Sequence, residues 1–338
     1  MKSNGFIISL LTLITIVACG TDKQHFKLEG QLLNLNQGEF VIYSPDGAMP
    51  GADTIKVQGG RFELLASCTH EGTALIIMPN GSEVAVFVKP GADISIMGDA
   101  QNLKMIEVKG TKENEIMAEF RKDAGNKPEA AHARCAADCI EKHPEATSVG
   151  IYLLRQYILK GDKPDYTTAT KLVNAMLKKN KDDAALATLA ANIRTMKNAD
   201  NGCNVPAFNV LDISGNSVKN TDLSSGNAVI VFWASWDYES LQEIRSIHNI
   251  RTSKNAEDRL KVIAVSMDAS KSQAKQTLAN DTTSWTNICD EKMTDSPLVH
   301  LFAVAQPSTA ILVKDGKITD RRLMGEALYT KIRSIIGD

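Results

Sequence analysis

The run Ala228-Val229-Ile230-Val231-Phe232-Trp233 constrains the fold more than any other stretch of the chain. It is short, uninterruptedly apolar and rich in β-branched and aromatic side chains, the pattern of a strand buried on both faces. The sequence around it supplies the cover such a strand needs. A helix begins near Asp237, a second strand spans 260–267, and a polar helix lies around 270–279. Strands at 309–314 and 317–322 are split by Asp315-Gly316, and a helix over about 327–336 closes the pattern. This alternation predicts an α/β fold over residues 201–338, with a central sheet covered by helices on both faces.

Earlier segments follow other rules. From 26 to 110 the pattern is strand, turn, strand, as in Phe40-Val41-Ile42-Tyr43, Thr54-Ile55-Lys56-Val57 and Val84-Ala85-Val86-Phe87-Val88. Pro45-Asp46-Gly47, Gly59-Gly60 and Pro90-Gly91 punctuate it as turns. Short β-rich runs at this spacing predict an all-β antiparallel sandwich or barrel. From 111 to 200 apolar residues recur three and four apart, notably over 148–159 and 166–179, and 183–191 is rich in alanine and leucine. This stretch is expected to be a helical connector packed on one or both neighbours. A chain of 338 residues has room for several such units.

The N-terminus begins with Lys2, an apolar stretch over 6–17, then Ala18 and Cys19. The stretch is too short to span a bilayer comfortably and has the length of a signal-peptide core. Ile16-Val17-Ala18-Cys19 fits a lipobox, whose cysteine is lipidated and becomes the new N-terminus. Residues 1–18 are therefore expected to be removed, Cys19 to anchor the protein to a membrane, and 19–25 to form a tether. The tether lacks an acidic run, so the expected place is the outer membrane, facing the periplasm. A formal net charge of -2 provides no basic field for nucleic acid. No phosphate-binding loop, dinucleotide fingerprint, HExxH or hydrolase elbow occurs, and no cofactor is expected.

Of six cysteines, lipidation of Cys19 leaves Cys68, Cys135, Cys139, Cys203 and Cys289, an odd set that excludes a complete disulfide framework. Cys135 and Cys139 lie one helical turn apart, with His132 and His143 extending their face. Such ligand types suit zinc or copper, but one straight helix cannot surround a tetrahedral ion. His132, Cys135 and Cys139 thus stand only as metal candidates that need partners from elsewhere.

The segment 229–236, ending Trp233-Ala234-Ser235-Trp236, resembles the strand that enters the active site of thioredoxins. It is closer still to membrane-anchored thiol-disulfide oxidoreductases of the cytochrome-maturation type. Val205-Pro206-Ala207-Phe208 is similar to their entry segment, and Asp315-Gly316-Lys317-Ile318 to their late hairpin turn. Gln306-Pro307-Ser308-Thr309 is similar to the loop whose proline is cis in that family and faces the redox pair. Upstream, Asp53-Thr54-Ile55-Lys56-Val57 through Gly60-Arg61-Phe62 resembles an uncharacterised β-domain that often precedes thioredoxin-like domains in Bacteroidetes lipoproteins.

The resemblance implies a thioredoxin-like fold for 201–338 and two cysteines, two residues apart, directly after Trp236. The residues there are Asp237-Tyr238-Glu239-Ser240. Thiol exchange needs a nucleophilic thiolate and a second thiol to resolve the mixed disulfide. Asp237 has no sulfur, and Ser240 is no nucleophile without a base beside it. Glu243 does fall on a matching family position. Asp237 is expected to cap the following helix, and Trp236, Asp237, Ser240, Glu243 and Pro307 to form a degenerate site. The first expectation is a non-enzymatic role, holding a protein or peptide partner beside the Pro307 loop. The alternative is a thiol oxidoreductase or peroxidase working through Cys203, Cys289 or the Cys135/Cys139 pair, with a sulfur close to Trp236 and Pro307. A scaffold within an envelope assembly is the third.

Overall fold

The computed structural model describes residues 22–337 apart from 79–80, 162 and 281–284. Cys19 and the expected signal segment lie outside the described residues, as do 20 and 21 of the tether. No helix among the described residues is long and apolar enough to cross a membrane. The chain divides into two units, Met1–Tyr157 and Ile158–Asp338.

In the first unit eight strands follow in order: β1 (His25–Leu33), β2 (Gln37–Tyr43), β3 (Ala52–Gln58), β4 (Arg61–Ser67), β5 (Gly72–Ile77), β6 (Glu83–Val88), β7 (Asp93–Asp99) and β8 (Glu107–Lys109). They form one sheet in the order β6-β5-β2-β3-β4-β1-β7-β8. Phe26 and Leu28 alternate inward from β1 and meet Ile42, Ile55, Val86, Ile94 and Val108 in a single core. Strands from both ends of the sheet feed that core, so the sheet curls round it as a barrel does, instead of splitting into a sandwich. The pairing is antiparallel except between β1 and β7, which run parallel. β1 is held by β4 on one edge, and β7 returns along its other edge only after the long excursion through β5 and β6. The two-residue turn between β3 and β4 has Gly59 and Gly60 at φ 57° and 75°, the conformation that favours glycine. At Gly60 a Cβ would also lie 2.8 Å from the Leu32 carbonyl oxygen.

Three helices complete this unit: α1 (Lys112–Ala124), α2 (Glu129–Lys142) and α3 (Thr147–Leu153), the last running into a π-helical turn, Leu154–Ile158. Thr111 caps α1 by accepting the Asn114 N–H. Asn114, fully buried, in turn treats Phe87 of the edge strand β6 as a strand partner. Its Oδ1 accepts the Phe87 N–H at 2.9 Å and its Nδ2 donates to the Phe87 carbonyl at 2.8 Å.

In the second unit α4 (Tyr166–Lys179) and α5 (Ala184–Asn198) are capped by Asp165 and Asp183. The expected connector is therefore divided, α1 to α3 with the β-sheet and α4 and α5 with the α/β part. There follow β9 (Asn209–Leu211), β10 (Ser217–Lys219), β11 (Asn227–Trp233), α6 (Tyr238–Ser253), β12 (Leu260–Ser266), α7 (Lys271–Asn280), β13 (Thr286–Cys289), α8 (Pro297–Leu301), β14 (Thr309–Lys314), β15 (Lys317–Asp320) and α9 (Gly325–Ile336). Five of the strands make a sheet in the order β13-β12-β11-β14-β15, parallel across β11, β12 and β13 and antiparallel at β14 and β15. Central β11 sends Ala228, Ile230 and Phe232 into one core with Leu298 and Phe302. Val229, Val231 and Trp233 enter the other with Ile244, Ile247, Leu328 and Ile332.

Replacing Asn114 with Ala strands the Phe87 N–H away from water and leaves its carbonyl only the Thr111 hydroxyl, at a cost on the order of 1–3 kcal/mol in urea unfolding. Asn114→Asp is expected to be no better, because a carboxylate faces the Phe87 carbonyl with no donor.

Candidate functional site

The turn between β11 and α6 sits at the carboxyl ends of the parallel strands, where open α/β sheets place their ligands. Asp237, in extended conformation, caps α6: its Oδ1 accepts the Ser240 N–H at 2.7 Å. A carboxylate there meets free helix N–H groups and the positive end of the helix dipole. Ser308 donates to the same oxygen at 3.4 Å, so the 306–309 loop and the helix start meet on Asp237.

Ser240 is fully buried and its hydroxyl is spent on the backbone. It accepts the Ala234 N–H at 3.2 Å and donates to the Asp237 carbonyl at 3.0 Å. That arrangement locks the turn and leaves no activated nucleophile. Beside it, Trp236 and Tyr238 are 58% and 73% exposed.

Beneath the turn lie two more carboxyl groups. Glu243 is buried, and its Oε1 has no hydrogen-bond partner among the described residues. Burial first, and the Asp237 charge second, push its pKa up to about 7. Asp268 is buried as well but fully tied: Ser235 donates from its N–H and hydroxyl at 3.0 and 2.8 Å, and the Ser266 hydroxyl at 2.7 Å. Sequence reading missed Asp268. Its one signal was a carboxylate two residues past a buried strand, a place where only a satisfied polar group is tolerated.

Pro307 is buried beside this turn. The resemblance implied a cis bond before it, and this is corrected: the structure has no cis peptide among the described residues. The bend is made by Ser308, at φ 61°, whose N–H donates to the Phe232 carbonyl at 3.0 Å.

The structure brings none of the expected thiols to this surface as an exposed group. All five described cysteines are free. Cys289 pairs with Ser266, which pairs with Trp233, so it lies two strand spacings away, about 10 Å, and is 1% exposed. Cys203 precedes Asn204, which bridges to Lys317 at the opposite end of the sheet, and its thiol donates to the Lys197 carbonyl. Cys135 and Cys139 belong to α2 of the other unit. Burial pushes Cys139 up to about 11, which keeps it a thiol. Among the described residues no group of three or more His, Cys, Asp or Glu is placed to hold a metal, and His132 Nε2 lies 3.1 Å from the Lys127 carbonyl oxygen.

The strand order, the helix capped at the end of β11 and the Pro307 loop are those of a thioredoxin-like domain. Residues 202–321 match the AhpC/TSA family. Residues 26–117 match a domain of unknown function, DUF4369. Solved structures similar to the chain include the C-terminal domain of a candidate thiol-disulfide oxidoreductase from Bacteroides thetaiotaomicron, 26% identical, covering 41% of this chain and 97% of that one, TM-score 0.36. A thiol-disulfide oxidoreductase from Bacteroides fragilis is 22% identical over 39% of this chain and 98% of that one, TM-score 0.36. A thioredoxin-like protein from Bacteroides caccae is 16% identical over 61% of this chain and 79% of that one, TM-score 0.45. No curated protein matches the chain.

Asp237→Ala removes the cap of α6 and is expected to cost about 1 kcal/mol in denaturant unfolding, with Asp237→Asn retaining most of it. Glu243 titrates higher in the fold than unfolded, so its contribution is fully present below about pH 4.5 and is lost as pH rises through about 7. Glu243→Gln should therefore flatten the fall in stability between pH 5 and 8 and exceed the wild type at pH 8. A wild-type stability profile that the substitution leaves unchanged would contradict this account.

Proposed function

We propose that this chain is an exported, lipid-anchored envelope protein whose thioredoxin-like domain binds an extended segment of a partner protein and performs no thiol–disulfide exchange. One observation carries the reading: at the turn where α6 begins, Asp237 and Ser240 occupy the two positions with a helix cap and a backbone lock. Both serve the scaffold, and neither supplies a thiolate.

The chemistry of the surface suggests what kind of segment it takes. Between 234 and 244 two carboxylates, Asp237 and Glu239, lie at the surface, with neither lysine nor arginine. Two exposed aromatic side chains flank Asp237. A cationic side chain fits such a place, since it finds a carboxylate and an aromatic face together. Export and anchoring rest on the apolar stretch 6–17 and on Cys19, and imply the outer membrane facing the periplasm.

The test compares disulfide reductase and oxidase activity of the wild type with that of the double substitution Asp237→Cys and Ser240→Cys. A silent wild type beside an active double variant is the expected result, since the cradle is intact and only sulfur is missing. Activity in the wild type overturns the redox-inactive reading. Trp233 and Trp285 are buried, so Trp236 is the exposed tryptophan that reports binding. A lysine-containing extended peptide should change its fluorescence, and calorimetry should find two- to fivefold weaker binding in Trp236→Ala.

A further inference from the structure

The first unit contains a cleft of about 360 Å³ between β6, α1, α2, α3 and the π-helical turn, within the size range of small-molecule sites. We propose that this cleft binds a small organic carboxylate with an aromatic or apolar body, the Arg121 guanidinium donating to the carboxylate.

Arg121 lies on the cleft wall with one nitrogen used and one not. Nη2 donates to the Ala85 carbonyl at 2.7 Å, while Nη1 is shut off from water and has no hydrogen-bond partner among the described residues. The groups whose charge acts on this guanidinium are two phenols, Tyr152 and Tyr157, and burial lowers its pKa. A buried guanidinium normally sits against a carboxylate, because its desolvation is offset only by a paired, hydrogen-bonded anion. Among the described residues none is placed against it. The lining carboxylates, Glu83 and Glu129, are exposed, as is Lys104.

The rest of the lining sets the body of the ligand. Phe120 and Tyr157 pack at 5.0 Å between ring centroids, His132 stands edge-on to Tyr157 at 6.0 Å, and Met117 adds a deformable apolar wall. Burial pushes Tyr152 up to about 12, so its phenol stays protonated and able to donate. One forked cation, neutral phenols and aromatic walls suit a monoanionic planar carboxylate on a ring. A phosphate dianion calls for more positive charge than one guanidinium.

Calorimetric titration of the full chain with benzoate, phenylacetate and 3-phenylpropionate tests this, with 3-phenylpropanol and inorganic phosphate as controls. Saturable binding of at least one aromatic acid is expected, tenfold or more tighter than the alcohol or phosphate. Arg121→Gln, with its fold verified by circular dichroism, should weaken the acid tenfold or more. The comparison of acid with alcohol needs no variant, so it stands even if Arg121→Gln fails to fold. The proposal is overturned if no acid binds, if alcohol or phosphate binds as well as the acid, or if folded Arg121→Gln binds like the wild type.

Discussion

Burial of β11 on both faces is the constraint from which the second unit follows. From Ala228 to Trp233 its side chains alternate between two cores, so no polar residue is admitted over that run. Chemistry is thereby confined to the turn after Trp233 and to the loops that reach it. The helix that begins there exposes backbone N–H groups that need acceptors. Asp237 meets that need at 2.7 Å, as an N-cap ordinarily does. The scaffold asks for an acceptor at this position and is indifferent to sulfur. Replacing thiols there can remove exchange chemistry and leave strand order, helix and loop intact.

The carboxyl groups around the turn are sorted by their surroundings. Asp268 accepts three hydrogen bonds and Asp237 shares one oxygen between a backbone N–H and a serine hydroxyl. Glu243, on the inner face of α6, has an oxygen with no donor and is pushed toward neutrality by burial and by Asp237. The same side-chain chemistry therefore gives an anion where donors converge and a proton holder where they do not. Glu243 breaks the rule that buried polar groups are satisfied, and it does so beneath the exposed surface of Trp236 and Tyr238. Local rules fail in this way most often beside a functional surface.

Much of this was legible in the sequence because it depends on local pattern. The 166–179 helix, the strand at 309–314 and the Asp315-Gly316 turn appear where their periodicity and turn chemistry place them. The capping role of Asp237 follows from residue type and position alone. What escaped depends on contacts between distant residues. Asp268 matters through Ser235, 33 residues away, and Asn114 through Phe87, 27 away. The trans bond before Pro307 escaped because the cis form came from the resemblance and no local pattern in this chain tests it. The helices of 111–200 read alike by amphipathicity, which says that a face is buried but not which core buries it.

The first unit applies the same logic to a sheet edge. β6 ends the sheet, and an uncovered edge strand invites pairing with another chain. α1 closes it with side chains in place of a further strand. Asn114 takes both polar groups of Phe87, and Arg121, two helical turns on, takes the carbonyl of Ala85, two residues back along the strand. Helix and strand thus share one face with a matched repeat. Asn114 is exhausted by this work, because its amide finds Phe87 and Thr111 within 3 Å. Arg121 is not, since a guanidinium carries five N–H donors and one carbonyl accepts few of them. Guarding the edge with an arginine instead of a second amide leaves a surplus of positive, buried donors facing an aromatic cleft. That surplus is the one element of the edge seal that sheet protection by itself does not require.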